Sequence, residues 1–247
     1  MAKLRSKTGC PWDKVQTHKS LKPYLVEETC EVLDAINKKN PNMLMDELGD
    51  LLYQILFHSQ IAKERNQFDI NDVIENSYAK LRHRHPHVFG KKKIKGAENV
   101  ITSWHKFKLK EARKKSKHYS VVSNIPHVLP ALQKAGKVQR KVAVVGFDWK
   151  HIHNIINKVD EELGEVKDAI KKGKPSYIRE EIGDLLFAIV NLSRFFGIES
   201  EHALHETINK FIVRFQKIEK LLKKKGKDIE DCSLSEMEKA WNTVKKK

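Results

Sequence analysis

Eight carboxylates carry the chemistry of this sequence. In the first half Glu28 and Glu31 stand three residues apart, as do Glu47 and Asp50; in the second half the same spacing joins Glu162 to Glu165 and Glu181 to Asp184. Residues three apart on a helix share one face, a turn from each other. The interval from Glu31 to Glu47 equals that from Glu165 to Glu181. If a short antiparallel hairpin joins each pair of segments, a rise of about 1.5 Å per residue brings the two acidic turns level, and four carboxylates converge. A lone Glu-x-x-Glu is usually a solvated face. Here Glu28 lies on the stripe of Leu21, Leu25 and Val32, and Glu47 lies with Leu44 and Leu51. Acids on an apolar face are costly without a cation. Gly49 and Gly183 fall between the acids, where a missing side chain permits close helix approach. The donor set is all oxygen, without the Glu-x-x-His of dinuclear iron bundles. It suits Mg²⁺, or Mn²⁺, hard cations that bridge carboxylates to phosphates. The chemistry implied is phosphoryl chemistry.

Cations fit the same reading. Lys158 stands four residues before Glu162 and so on its face, with Glu161 alongside. Lys210 and Arg214 form another i, i+4 pair, and a guanidinium forks onto phosphate. Trp241 either stacks on a base or packs in the core, and Lys245 follows one turn later. In the first half Tyr24 takes the place of Lys158, so that half lacks one phosphate cation and the second half is favoured as the working site. The cluster His83-Arg84-His85-Pro86-His87 reads as a helix ended by proline rather than a transition-metal site.

These residues are positioned by a repeat. Residues 27–59 set over 161–193, at a constant offset of 134 and without a gap, are identical at 16 of 33 positions. An apolar rhythm alone would not align Glu, Gly, Asp and Pro. Lys80 and Arg84 answer Lys210 and Arg214; Trp104 and Lys108 answer Trp241 and Lys245. Helical spacing predicts helices over about 21–36, from Pro41 onward, over 70–84 and over 97–115. It predicts others near 128–143, 152–171, 176–196, 200–224 and 233–246. No stretch alternates with period two long enough for a sheet. The fold expected is all-α, two tandem helical-bundle domains related by internal duplication: 1–115, a linker at 116–126, and 127–247.

Bulk properties agree. Of 247 residues, 40% are hydrophobic and 32% charged, and the formal net charge is +16. No apolar run approaches the ~20 residues of a membrane span, and the first residues show no secretory apolar stretch. Cys10, Cys30 and Cys232 are unclustered and fit a reducing, cytoplasmic setting. The excess charge is scattered lysine without a nucleic-acid-binding module, so no specific nucleic acid is expected.

The motif Glu-Glu-x-x-Glu followed by Glu-x-x-Asp on a duplicated helical scaffold resembles the MazG family of nucleoside triphosphate pyrophosphohydrolases. The segments GCPWDKVQTH, RHRHPHVFG and VGFDW are similar to its two-domain bacterial members. The resemblance implies a fold of the all-α NTP pyrophosphatase type, a homodimer, and hydrolysis of NTPs or dNTPs to monophosphate and pyrophosphate. By motif it makes Glu162, Glu165, Glu181 and Asp184 the Mg²⁺ ligands, with a second set at Glu28, Glu31, Glu47 and Asp50. Lys158, Glu161, Glu162, Lys210, Arg214, Trp241 and Lys245 become nucleotide contacts, and Glu161 or Glu162 takes the proton of the attacking water. The rival reading is a helical regulatory module that binds nucleotide without turnover.

Overall fold

The computed structural model describes residues 1–91, 93–115 and 120–245. Residues 116–119 of the expected linker lie outside these, as does the end of the basic run at 245–247. Every regular element among the described residues is helical. In chain order they are α1 (Ala2–Arg5), α2 (Pro11–Val15), α3 (Lys22–Asn37), α4 (Pro41–Glu64), α5 (Ile70–Arg84), α6 (Pro86–Phe89), α7 (Ala97–Lys115), α8 (Ala131–Ala143), α9 (Ile152–Lys172), α10 (Pro175–Phe195), α11 (Ser200–Lys223) and α12 (Leu234–Lys245), with a 3₁₀ turn at Ile229–Asp231. The chain divides into two compact units, Met1–Gly96 and Ala97–Lys247, so α7 clusters with the second.

Each unit is organised around one helical hairpin, α3 with α4 and α9 with α10. Pro41 and Pro175 open the second helix of each, where a missing N–H costs nothing. Asn40 caps α4 by accepting from the backbone N–H groups of Asn42 and Met43. The turns differ in one residue that matters: Gly173 ends α9 with φ +68°, and Lys39 follows α3 with φ +53°. Ala35 and its counterpart Ala169 are both buried. Gly49 and Gly183 do not serve close approach as the sequence suggested, because a Cβ built at either would meet nothing within 4 Å.

In the first unit Leu21, Phe57 and Ile61 form the core, with Met1 and Tyr53 against it. Arg5 ties α1 to α4 through Glu64 at 2.7 Å. In the second unit Ile218, Leu222, Cys232 and Ala240 hold α12 against α11, with Trp241 and Met237 packed beside them. At α5 the helix ends at Arg84 and the chain restarts a short helix at Pro86, as the His-Pro-His cluster predicts.

Candidate metal centre and adjoining cavity

The hairpin register brings the acids together in both units. In the second, ligand oxygens of Glu162, Glu165 and Glu181 lie within 4.8 Å of one another; in the first, those of Glu28, Glu47 and Asp50 do. Three of the four expected acids therefore converge in each. Asp184 stands outside the close group but lines the cavity beside it, and Glu31 acts on Glu28 and Glu47 through its charge.

Electrostatics record the crowding. Burial first, and then the charges of Glu162 and Glu181, push the Glu165 carboxyl above the ordinary glutamate range. Burial, Asp50 and Glu31 raise Glu28, against a hydrogen bond at 3.4 Å from Gln54. Burial and the charges of Glu31 and Asp50 raise Glu47. Glu162 is buried, and its Oε2 is shielded from solvent with no hydrogen-bond partner. A buried carboxylate oxygen left unpaired is costly. An orphaned oxygen, crowded like charges and an all-oxygen donor set together fit a hard divalent cation.

Lys158 completes the second cluster. Its Nζ lies 2.8 Å from Glu161 Oε1 and 2.8 Å from Glu162 Oε1, bridging the next turn of its own helix. Hydrogen bonds to these two carboxylates hold the ammonium well above the usual lysine range, so it stays cationic at any physiological pH. Tyr24 stands in its place in the first unit and packs edge-on to Trp12, ring centroids 5.7 Å apart.

Beside the second cluster opens a cavity of about 620 Å³. Lys158, Glu162 and Asp184 form one part of its wall; Gln139, Phe147, Trp149, Phe187 and Asn191 form others. Gly146, with φ +95°, ends α8 by letting the Gly146 and Phe147 N–H groups return to the carbonyls of Ala143 and Val142, a turn that an L side chain would strain. That turn delivers Phe147, Asp148 and Trp149 to the cavity. Asp148 is fixed by paired hydrogen bonds from Arg194, one of them 3.0 Å, and Arg194 also donates to Asn191 Oδ1 at 2.9 and 2.8 Å. Lys210, Arg214, Trp241 and Lys245 do not line this cavity. Trp241 packs beside Phe211, centroids 5.2 Å apart, at the edge of the C-terminal core.

Nothing in the carboxylate pattern points to Gln139, Phe147 or Asn191. The repeat does carry a signal: Asn191 stands where the first half has Phe57, and a core phenylalanine exchanged for an amide marks a changed environment.

A duplicated hairpin of converging carboxylates, joined in the second unit by a bridging ammonium and a ligand-sized cavity, fits the class of all-α hydrolases of phosphate compounds. A family model described as the MazG nucleotide pyrophosphohydrolase domain matches this chain twice, over residues 16–89 and 150–218. The chain belongs to the MazG family. It is 44% identical, over 99% of its length and 92% of the relative's, to the nucleoside triphosphate pyrophosphohydrolase/pyrophosphatase MazG of Thermotoga maritima. It is 41% identical, over 100% and 94%, to the nucleoside triphosphate pyrophosphohydrolase of Escherichia coli K12. It also matches the uncharacterized protein YabN of Bacillus subtilis, 42% identical over 98% of this chain and 49% of that relative. Both matched regions span a whole hairpin with its carboxylates.

Proposed function

We propose that this chain is a Mg²⁺-dependent nucleoside triphosphate pyrophosphohydrolase, converting an NTP or dNTP and water to the monophosphate and pyrophosphate, with the second unit as its working site. The observation that carries the reading is the convergence of Glu162, Glu165 and Glu181 within 4.8 Å beside Lys158, on the wall of a cavity. The relatives' names support the substrate class.

Glu162, Glu165, Glu181 and Asp184 would hold the cation, Mg²⁺ or alternatively Mn²⁺. When bound, the ion supplies charge neutralisation at phosphate oxygens and makes a nearby water more acidic. Lys158 exchanges a carboxylate partner for a phosphate oxygen and neutralises charge as the bond to pyrophosphate breaks. Attack of water forms the new P–O bond at the α-phosphorus, and its proton passes to a carboxylate; Glu161 and Glu162, both held by Lys158, are the acids placed for this. Lys210, Arg214, Trp241 and Lys245 remain nucleotide contacts in this reading, from outside the cavity of their own chain, which favours a homodimer. Three free thiols support a cytoplasmic setting, and no helix among the described residues is long and apolar enough to cross a membrane.

The first unit keeps its acids, so Glu28, Glu31, Glu47 and Asp50 form a second cation set without the phosphate lysine. The test resolves products from each common NTP and dNTP with Mg²⁺, for wild type, Glu162→Gln and Glu28→Gln. Wild type should release monophosphate and pyrophosphate. Glu162→Gln should lose at least about 100-fold in kcat/KM, and Glu28→Gln should stay close to wild type. Diphosphate plus phosphate as products would refute the reaction, and loss confined to Glu28→Gln would move it to the first unit. Nucleotide binding without any pyrophosphate would leave a regulatory module.

A further inference from the structure

Two amides in the cavity of the second unit have their polarity fixed by their neighbours. Gln139 lies on α8, is 5% exposed, and donates from Nε2 to the Phe187 carbonyl at 2.8 Å. A carbonyl oxygen only accepts, so the free end of Gln139 is its Oε1 acceptor. That oxygen is shielded from solvent and has no partner. Asn191 lies on α10, is 7% exposed, and accepts at Oδ1 from Arg194 Nε and Nη2. A guanidinium only donates, so the free end of Asn191 is its NH₂ donor. Asp148 holds Arg194 in turn. The cavity wall therefore carries one acceptor, its oxygen covered by neighbouring atoms, and one donor, on adjacent helices. Phe147, 80% exposed, and Trp149 stand at its wall.

The duplication shows that this space is not a by-product of the hairpin. The first unit has Phe57 in place of Asn191 and Tyr53 in place of Phe187. There Phe57 is fully buried and packs edge-on to Trp12 and Tyr53, centroids 6.3 and 5.7 Å away. Where the first unit holds the buried ring of Phe57, the second holds the amide of Asn191. A volume near 620 Å³ falls within the ~300–1,000 Å³ of small-molecule sites, and apolar walls with a few placed polar groups are their usual chemistry.

We propose that this cavity is the nucleobase pocket and that Gln139 and Asn191 read the base edge, separating amino bases (adenine, cytosine) from keto bases (guanine, uracil, thymine). The inference rests on the pyrophosphohydrolase reading for the location of the phosphates. Amino bases offer an amino donor beside a ring-nitrogen acceptor, and keto bases offer a carbonyl acceptor beside a ring N–H donor. A fixed acceptor–donor pair meets one order and opposes the other, and a polar group left unpaired in a buried site discriminates strongly. Phe147 and Trp149 offer faces on which any base stacks, so breadth and preference coexist. Arg194 is a positioning residue that locks Asn191.

The experiment measures binding of AMP, CMP, GMP and UMP, and separately of inorganic pyrophosphate, by calorimetry with Mg²⁺. It compares wild type with Asn191→Asp and Phe147→Ala. The aspartate keeps the acceptor that Arg194 holds and turns the free donor into an acceptor. It should change the amino-to-keto Kd ratio by about tenfold or more. Phe147 is exposed, so its loss leaves the fold intact; all four monophosphates should weaken by about tenfold, with pyrophosphate within about twofold. An unchanged ratio in Asn191→Asp, or equal weakening of pyrophosphate and monophosphates in Phe147→Ala, would overturn the proposal, as would wild type failing to bind any monophosphate. Monophosphate binding with these ratios but no pyrophosphate released from triphosphates would instead refute the hydrolase reading and leave the pocket standing.

Discussion

Tyr24 and Lys158 occupy equivalent positions one turn before the first clustered acid of their hairpins, and the exchange alters more than charge. Lys158 bridges two carboxylates at 2.8 Å on the cavity wall; Tyr24 turns its ring edge-on to Trp12, and both rings stay partly exposed. Such exchanges set the two units apart. Another sits deeper on α4, where His58 stands in place of Leu192. His58 Nδ1 lies 2.8 Å from His18 Nδ1 with the rings stacked, so the two share one proton. Burial first, and then the charge of His18, pull His58 below the ordinary histidine range. In the unfolded chain it protonates near 6.5, in the folded chain only at lower pH. The first unit should therefore lose stability as pH falls below about 6.5 and keep it above. His58→Leu, the residue of the second unit, should flatten the melting temperature of the first unit between pH 7 and 5; an unchanged slope would rule the pair out as its source. The acids were legible at this scale because type, spacing and repetition all pointed one way. The cavity was not, because Gln139, Phe147 and Asn191 come from separate segments, and neither the VGFDW segment nor the exchange of Phe57 for Asn191 says by itself that they meet.

At the scale of the element, the hairpin is what turns spacing into a site, and its turn sets the register. Every helix expected from apolar periodicity is present within a few residues of its expected bounds, because proline, capping and the 3.6-residue rhythm act locally. The role given to Gly49 and Gly183 failed, because periodicity places a glycine near the acids without saying what faces it, and a Cβ at either would meet nothing within 4 Å. The two turns make a controlled comparison. Gly173 adopts φ +68° where Lys39 adopts φ +53°, and a residue with a Cβ pays about 1–2 kcal/mol in that region. Glycine recovers this less its own entropy in the unfolded chain, about 0.5–1 kcal/mol. Lys39→Gly should stabilise the first unit by about 0.5–1 kcal/mol, and Gly173→Ala should destabilise the second by about 1 kcal/mol. Denaturant unfolding of each variant reads both, and a destabilising Lys39→Gly would show that the lysine side chain does more than tolerate the turn.

At the scale of the whole molecule, the hairpins leave apolar stripes uncovered. On α10 Ile182, Leu186 and Ile189 are 45, 48 and 41% exposed, and their counterparts Leu48, Leu52 and Ile55 on α4 are 49, 53 and 41% exposed. On α9 Ile156, Leu163 and Ile170 follow at seven-residue intervals, each at least 40% exposed. These are i, i+4, i+7 and heptad patterns, the form a helix takes when it packs on another helix along its length. A two-helix hairpin buries one face only, and a four-helix bundle needs a second hairpin to cover the other. Scattered exposed leucines need no partner, but a contiguous stripe repeated in both units does. A second copy of the chain presents the same stripes in a self-complementary arrangement, the usual geometry of a twofold interface. The expectation is a homodimer of twice 28.7 kDa. Leu186→Glu with Ile189→Glu, both exposed within the chain, should give a monomer by sedimentation velocity while helix content persists. Turnover should fall with dimer content if Lys210 and Arg214, which lie outside the cavity of their own chain, reach the phosphates of the partner's site. A monomeric wild type at micromolar concentration would sink the dimer. A monomeric double variant with full activity would show that the phosphates are handled within one chain, without Lys210 and Arg214 of a partner.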